Sequence, residues 1–235
     1  MKDCVKKCLG QIIVSCQAYE DTPLYGAENI KKMVECAVMG GANVVRCCWP
    51  ENIKAAREVS EELIIIGIDK VGTTEEGDRS EVFITPSLEA VDRIVEAGCD
   101  IVGLDCRLTP KRGKRELQQL LEAIHKKYPS IGVMADCETY EDAKFAAESG
   151  LVDIVSTTLS GLNKPEMGID TELVEKLKSI TSLPINGEGR VWELSDISAF
   201  NDAGADMITI GSAITRPHLI TKRFIDCYDK VYNQK

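Results

Sequence analysis

The sequence predicts an α/β fold in which short buried strands alternate with amphipathic helices from one end of the chain to the other. One motif recurs: a helix ends in glycine, a short turn containing Asn or Asp follows, and an apolar run comes next. Its copies occupy 40–45, 98–102, 150–155 and 204–208. Strands that are apolar throughout and alternate with helices indicate a parallel sheet covered on both faces.

Further apolar runs bring the number of predicted strands to about eight. They occupy 11–16, 63–68, 131–135 and 183–185. Eight parallel strands are the number that closes a (β/α)8 barrel, the TIM-barrel architecture. An open doubly wound sheet is the alternative, but no Gly-x-Gly-x-x-Gly follows the first strand and the repeat continues evenly to the C-terminus. We therefore predict an α/β protein with a single (β/α)8 barrel domain over 1–235.

Amphipathic stretches between these runs predict the helices that cover the barrel. Ser87 precedes an apolar stripe and is expected to cap its helix. The predicted helices occupy 26–39, 51–59, 87–97, 113–128, 140–149, 170–179, 192–203 and 217–232. No linker or change in composition interrupts the series, which supports one domain.

The composition argues against several classes of partner. The 235 residues carry a formal net charge of −10, so we expect neither nucleic acid nor an anionic membrane as a main partner. No apolar run is long enough to span a bilayer, and the first residues lack the apolar segment of a signal peptide, which predicts a cytoplasmic protein. The spacing of the ten cysteines fits neither a disulfide framework nor a metal site, so we expect free thiols.

Two glycine-bearing polar turns predict a phosphate site. They occupy 185–190 and 208–217, and each follows a predicted strand, where glycines let the backbone approach an anion closely. In (β/α)8 barrels the turns after strands 7 and 8 frequently bind phosphate. Pro217 suits the first turn of the last helix. Arg216 precedes Pro217 and has two interpretations. Its guanidinium could bind phosphate with two parallel hydrogen bonds, or it could be a solvated surface charge.

Catalytic groups of such barrels lie at the carboxyl ends of the strands, which makes Lys70 and Glu188 candidates. Lys70 follows a strongly apolar run, so partial desolvation is predicted to favour its neutral form as a base; the alternative is a solvated lysine in a loop. Glu188 stands between two glycines, with no bulky neighbour to screen it; the alternative to a functional role is a structural carboxylate that pairs with Arg190 or another cation. Because side chains alternate along a strand, Asn186 and Glu188 should share the face toward the barrel interior.

Other strand ends carry polar residues with less defined expectations. Arg46 is predicted to be an isolated cation, suited to a carbonyl, carboxylate or phosphate. Asp105 and Asp136 could orient sugar hydroxyls, hold a cation in place or cap the following helices. The two histidines, His125 and His218, do not end strands. Histidine-held metal chemistry is therefore poorly supported, and we expect metal-free catalysis with no cofactor.

The same segments resemble the N-acetylmannosamine-6-phosphate 2-epimerase family of phosphate-binding (β/α)8 barrels. The most specific strings are Ser-Cys-Gln-Ala at 15–18, Ser-Thr-Thr-Leu-Ser-Gly at 156–161 and Gly-Ser-Ala-Ile-Thr-Arg-Pro at 211–217. The resemblance implies metal-free interconversion of N-acetylmannosamine 6-phosphate and N-acetylglucosamine 6-phosphate, a step in sialic-acid or aminosugar catabolism.

Roles for individual residues are implied by the resemblance at each matching position. Lys70 matches the lysine that moves the proton at C2, and Glu188 matches the glutamate that assists ring opening. The other matching positions are Gln17, Arg46 and Asp136 for substrate contact, and Gly189, Gly211, Ser212 and Arg216 for phosphate.

Two alternative functions remain open from the sequence. Lys70 could form a Schiff base in a sugar-phosphate lyase. The second alternative is a barrel that binds a sugar phosphate without catalysis. It stays open because the segment 71–78 after Lys70 is longer than its counterpart in the family. The expected small-molecule partner is an amino-sugar phosphate, and a homo-oligomer is left open.

Overall fold

Eight parallel strands, hydrogen-bonded in chain order, close into a barrel in this computed structural model, which describes residues 1–71, 81–162 and 167–232. The strands are β1 (Ile12–Cys16), β2 (Val44–Cys48), β3 (Ile64–Ile68), β4 (Ile101–Asp105), β5 (Gly132–Asp136), β6 (Ile154–Ser156), β7 (Ile185–Glu188) and β8 (Met207–Ile210). Pairing of β8 with β1 completes the closure. The predicted (β/α)8 barrel is confirmed, whereas the extent of the domain over 1–235 stays a prediction.

All eight predicted helices are found, with ends within two residues of those expected. The helices are α1 (Asp3–Cys8), α2 (Ala27–Met39), α3 (Pro50–Arg57), α4 (Leu88–Glu96), α5 (Lys114–Lys127), α6 (Tyr140–Glu148), α7 (Thr171–Lys178), α8 (Leu194–Asp202), α9 (Ser212–Thr215) and α10 (Pro217–Tyr232). Ser87 caps α4 as expected, because its hydroxyl accepts a bond from the Ala90 N–H at 3.3 Å. The short helices α1 and α9 were not predicted, since neither is long enough to show a helical period.

The barrel has an apolar interior at its amino end. Side chains from seven of the strands meet there, and α1 closes the opening with Val5 and Cys8. The members from the strands are Ile13, Val44, Ile64, Ile66, Ile101, Met134, Ile154 and Met207. A second and larger core lies between the outer face of the barrel and the helices.

The predicted end of β7 was wrong. The sequence places 186–188 in a turn, but these residues continue the strand, with Gly187 opposite Ile208 and Glu188 opposite Thr209. Gly187 allows this, because a Cβ at that position would lie 2.8 Å from the ring of Phe200. Polar residues thus occupy strand positions, and alternation turns Asn186 and Glu188 into the barrel as predicted.

The last helix differs from the others because none of the residues of α10 is buried. Its large exposed apolar side chains are Phe224, Ile225, Tyr228, Val231 and Tyr232. Helices of a (β/α)8 barrel normally bury one stripe against the strands. The apolar face of α10 is thus left without a covering surface in the single chain.

The structure also bears on the expectations from composition. All ten cysteines are free thiols, as predicted. Among the described residues, no helix has the length and apolar character needed to cross a membrane.

Candidate active site

A cavity of about 430 Å³ opens at the carboxyl ends of the strands. This volume is in the range of small-molecule sites. Its polar lining comes from segments that follow β1, β3, β6, β7 and β8, so residues distant in sequence share one space. The lining includes Ser15, Gln17, Tyr19, Lys70, Thr158, Glu188, Gly189, Arg190, Thr209, Gly211, Ser212 and Arg216.

A buried ion pair lies in the barrel directly beneath this cavity. The guanidinium of Arg46 on β2 donates to both carboxylate oxygens of Asp136 on β5, at 2.9 and 2.6 Å. Both side chains are almost completely inaccessible, with 1% and 0% of their surface exposed. Burial would by itself lower the pKa of Arg46, but the charges of Asp136 and Glu188 outweigh it and raise that pKa. The arginine is thus held as a cation under the floor of the cavity.

Glu188 connects this ion pair to the cavity. Its Oε2 lies 3.3 Å from the Nη1 of Arg46 and accepts a hydrogen bond from the amide of Asn186 at 3.1 Å. The hydroxyl of Thr158, which has one proton to donate, lies 3.0 Å from this oxygen and 2.7 Å from the Oδ1 of Asp136. Burial raises the pKa of Glu188, Arg46 opposes that shift, and the charge of Asp136 adds to it. The raised pKa suits a carboxyl group that has to deliver a proton.

Glycine at 103 on β4 makes room for the ion pair. A Cβ there would lie 2.6 Å from the Cγ2 of Ile68 and 3.4 Å from the Nη2 of Arg46. The inward positions of neighbouring strands are filled by short polar side chains, Ser156, Asn186 and Thr209, which hydrogen-bond to one another at 2.7 and 3.0 Å. The upper half of the barrel is therefore polar and fully packed, in contrast to the apolar lower half.

Lys70 lies on the other side of the cavity, just beyond β3. Its backbone is fixed by an isolated antiparallel bridge to Ile84 and by the indole N–H of Trp49, which donates to the Lys70 carbonyl at 3.0 Å. The Nζ of Lys70 donates to the hydroxyl of Tyr19. In the closed order of eight strands, β3 and β7 are four strands apart, so Lys70 and Glu188 approach the cavity from opposite walls.

The two glycine positions lie on the Glu188 side of the cavity, directly after β7 and the neighbouring β8. Gly189 has φ +107°, a conformation that favours glycine, and Gly211 follows β8 immediately before α9. Arg216 lies where α9 ends, with its guanidinium 5.3 Å from the centre of the Tyr19 ring. Backbone N–H groups and an arginine are thus assembled at one end of the cavity, the combination that a phosphate group requires.

Positive φ angles in residues other than glycine occur around this rim. Within the described ranges they are found at Trp49 (φ 73°), Thr85 (φ 49°) and Arg190 (φ 59°). Trp49 holds Lys70, Arg190 lines the cavity, and the backbone N–H of Thr85 donates to the Asp69 carbonyl next to Lys70 at 2.8 Å. Strained backbone of this kind is retained where the surrounding structure fixes a functional arrangement.

Comparison with known proteins shows the family. A family model described as "Putative N-acetylmannosamine-6-phosphate epimerase" matches residues 30–230. A relative from Caldanaerobacter subterraneus subsp. tengcongensis, named "Putative N-acetylmannosamine-6-phosphate 2-epimerase", is 40% identical to this chain. The match covers 95% of this chain and 93% of the relative. The chain belongs to the N-acetylmannosamine-6-phosphate 2-epimerase family.

Solved structures agree with this assignment. The fold is similar to that of the N-acetylmannosamine-6-phosphate 2-epimerase from Clostridium perfringens, with a TM-score of 0.84, 36% identity and 95% of each chain covered. An aldolase, QR15, is similar with a TM-score of 0.62, covering 96% of this chain and 99% of its own, but at 18% identity it shows the shared fold alone.

The structure brings most of the site residues predicted for this epimerase-family chain to one cavity. Those that line it are Gln17, Lys70, Glu188, Gly189, Gly211, Ser212 and Arg216. Arg46 and Asp136 are not among the lining residues; they lie below Glu188 and bind each other. The assignment of substrate and phosphate contacts to these nine residues stays a prediction.

One expectation from the sequence was wrong, and two open alternatives are resolved. Arg46 is not an isolated cation, because it is paired with Asp136. The cation beside Glu188 is Arg46 and not Arg190, whose guanidinium donates to the backbone carbonyls of Ser160 and Gly168. Asp105 holds a cation in place, because Arg107 binds its carboxylate in the interior, and it does not cap a helix.

Sequence reasoning missed the contribution of aromatic residues to this site. Tyr19 and Trp49 both contact Lys70, and their rings meet edge to face with centroids 5.8 Å apart. The available signal was their position, because Tyr19 comes three residues after β1 and Trp49 comes directly after β2. In the described part of the chain, no group of three or more His, Cys, Asp or Glu side chains is placed to hold a metal ion.

Proposed function

We propose that this protein interconverts N-acetylmannosamine 6-phosphate and N-acetylglucosamine 6-phosphate by removing and returning the proton at C2. The observation that carries the proposal is the placement of Lys70 and Glu188 on opposite walls of one cavity, whose lining also includes Gly189, Gly211 and Arg216. Membership of the epimerase family supports the same substrate pair.

The chemistry starts with opening of the sugar ring. The proton at C2 is acidic only when C2 is next to the aldehyde at C1, so the C1–O5 bond must break first. A carboxyl group with a raised pKa can supply the proton that O5 needs, and its carboxylate form can take the proton that O1 loses as the aldehyde forms. Glu188 has that raised pKa. The hydrogen bond from Asn186 and the hydroxyl of Thr158 fix the orientation of this carboxyl group.

Proton transfer at C2 is assigned to Lys70. The neutral amine takes the proton from C2, the electron pair of the C–H bond moves into an enolate with its charge on O1, and the resulting ammonium group stabilises that charge. The Lys70 ammonium returns its proton, which exchanges with solvent, to the opposite face of C2 after the enolate turns about the C2–C3 bond. This gives the epimer and restores the neutral amine, and ring closure reverses the proton transfers of ring opening. No electrons are gained or lost overall, so the reaction needs no redox partner.

The phosphate end of the substrate supplies binding energy without reacting. We place it against the backbone of Gly189, Gly211 and Ser212 with Arg216 as the counter-charge, and we place Gln17 on the sugar. Anchoring a distant group orients C2 between the two walls and lowers the entropic cost of reaching the transition state. In this arrangement Arg46 and Asp136 act on the substrate through Glu188.

Proton NMR in D₂O tests the proposed function directly. N-Acetylmannosamine 6-phosphate incubated with the protein should convert to N-acetylglucosamine 6-phosphate with deuterium at C2. Borohydride added to the same mixture should leave Lys70 unmodified. A covalent sugar adduct on Lys70 would instead identify a Schiff-base lyase, and binding of the substrate without conversion would identify a sugar-phosphate-binding barrel.

We also propose a cellular setting for the reaction, namely the cytoplasm and the catabolism of sialic acid and amino sugars. The free thiols and the net charge of −10 support this setting.

We infer further that the protein is a homodimer in which α10 of each chain packs against the other chain. Phe224, Tyr228 and Val231 recur at helical spacing and form an apolar stripe that is exposed on the single chain. A groove of about 340 Å³ between α8 and the start of β1 and β8 includes Ile12, Ile197 and Ala205 in its lining. This is the place that the helix after β8 occupies in a closed (β/α)8 barrel. The α10 helix of the partner can therefore fill this groove and, in the same contact, cover its own apolar stripe.

Light scattering tests the dimer. The wild-type protein should have twice the mass of a single chain, and a Phe224→Asp/Tyr228→Asp variant should be monomeric. Met39→Asp is the matched control, because Met39 is 88% exposed at the end of α2, far in sequence from α10. A monomeric wild-type protein, or a dimer that persists in the double variant, contradicts this interface.

A further inference from the structure

Tyr19 contacts two of the three cations that line the cavity, Lys70 and Arg216; Arg190 is the third. Its hydroxyl accepts a hydrogen bond from the Nζ of Lys70, and the same Nζ lies 5.1 Å from the centre of the ring. The guanidinium of Arg216 lies 5.3 Å from that ring centre. One side chain therefore connects the wall that carries the base with the end of the cavity that carries the phosphate-binding arginine.

The tyrosine is itself held by an aromatic group. Trp49 meets the Tyr19 ring edge to face, and Tyr25 meets Trp49 in the same way with centroids 6.2 Å apart. Because the indole N–H of Trp49 also binds the Lys70 carbonyl, the backbone and the amine of Lys70 are held by neighbouring rings. Packed aromatic pairs of this type restrict each other's orientation.

We propose that Tyr19 is a positioning residue of the epimerase: its hydroxyl aims the amine of Lys70, and its ring holds Arg216 beside the same cavity. The proposal rests on the proposed function, and it assigns separate tasks to the hydroxyl and the ring.

The hydroxyl suits a base that changes its protonation state in every cycle. A neutral lysine amine has two N–H bonds and a lone pair, whereas the ammonium has three N–H bonds. The oxygen of Tyr19 can accept an N–H bond in both states, so the contact does not consume the lone pair that must take the C2 proton. With one N–H directed at Tyr19, the lone pair is limited to the remaining tetrahedral directions, which include the cavity.

The ring contacts Arg216. The face of an aromatic ring carries negative charge density and attracts cations within about 6 Å of its centre. The guanidinium of Arg216 lies within that distance, whereas the Nζ of Lys70 lies at the hydroxyl and therefore at the edge of the ring. The ring therefore helps to hold Arg216 beside the cavity, which is expected to affect phosphate binding.

Two substitutions separate the two tasks. Tyr19→Phe keeps the ring and removes the hydroxyl. We expect kcat to fall about 10-fold, the size expected for loss of one hydrogen bond to a charged group, and KM to change less than about 2-fold. Tyr19→Leu removes both, so KM should rise in addition, and the dissociation constant of inorganic phosphate, measured by calorimetry, should increase about 5-fold. Tyr25→Phe is the matched control, because its hydroxyl faces Glu20 outside the cavity.

The outcomes distinguish this proposal from the proposed function. Absence of C2 exchange in the wild-type protein contradicts the function, and phosphate calorimetry still tests the role of the ring. If the wild-type protein exchanges C2 but Tyr19→Phe retains full kcat, or if Tyr19→Leu binds phosphate normally, the positioning role is wrong. If kcat falls equally in Tyr19→Phe and Tyr25→Phe, the aromatic residues act by packing alone. That result also overturns the proposal.

Discussion

The two walls of the cavity present their functional groups in different ways. Glu188 on β7 is part of a buried polar network in which Arg46, Asp136, Thr158 and Asn186 fix its carboxylate. Lys70, beyond β3, is only partly buried and is held at its amine by Tyr19. The carboxylate is thus supported from below by charges inside the barrel, and the amine from the side by aromatic rings on loops.

This difference shows where stability and activity are coupled. Removing a member of the buried network leaves an uncompensated charge in the barrel interior, which destabilises the whole fold. Removing the lysine at the rim leaves no buried charge behind. We therefore expect the Glu188 wall to respond to substitution in both stability and activity, and the Lys70 wall in activity alone.

The largest effect on both properties is expected for Asp136→Asn. The substitution preserves shape but leaves Arg46 without its main counter-charge, so the free energy of unfolding should fall by about 3 kcal/mol and epimerase activity should be lost. Urea denaturation measures the first effect. Glu172→Gln, which removes the exposed ion pair with Lys176 at 2.6 Å, is the control and should change stability by less than about 0.5 kcal/mol. Similar values for the two variants would contradict the structural role of the network.

Lys70→Met should separate activity from stability. The methionine retains the apolar stem but has no amine, so kcat should fall by about 10²- to 10⁴-fold. The free energy of unfolding should stay within about 0.5 kcal/mol of the wild-type value, because no buried partner is left unpaired. Deuterium exchange at C2 and urea denaturation check the two parts. Undiminished exchange would remove Lys70 from the mechanism.

The pH dependence of activity should report the Glu188 wall. An acid works only while it carries its proton, and that form is populated below the pKa of the group. Because burial raises the pKa of Glu188, the proton is retained to higher pH than for an ordinary glutamate, and kcat/KM should decline as pH rises through that raised pKa. Plots of kcat/KM against pH for the wild type and for Glu188→Gln should differ in this decline at higher pH. Its persistence in the glutamine variant would assign it to another group.

Gly103→Ala should give the smallest of the four effects. The added methyl group meets Ile68 at 2.6 Å and approaches Arg46, so the ion pair must shift, at a cost of about 1–3 kcal/mol in unfolding free energy. Gly168→Ala is the control, since a Cβ there meets no atom within 4 Å. Thermal denaturation of both variants measures the difference, and equal stability would mean that the space beside Gly103 is not required.

The architecture of the site could be predicted because it depends on local patterns. Strand ends are visible as apolar runs that stop at polar residues, so Lys70, Glu188 and the glycine positions were located correctly. Alternation along a strand correctly placed Asn186 and Glu188 on one face. The end of β7 was missed because polar residues at 186–188 do not read as a strand, although pairing with β8 and packing of Gly187 on Phe200 make them one.

The sequence by itself determined the repeat of strands and helices, the closure that eight strands allow, the family, and most of the residues that line the mouth of the barrel. Only the tertiary structure decided which of those residues meet. Arg46 and Asp136 are 90 positions apart, and Lys70 and Tyr19 are 51 apart. Periodicity determines the direction of a side chain relative to its own strand or helix, whereas its partner is chosen by the register of the closed barrel, to which all eight strands contribute.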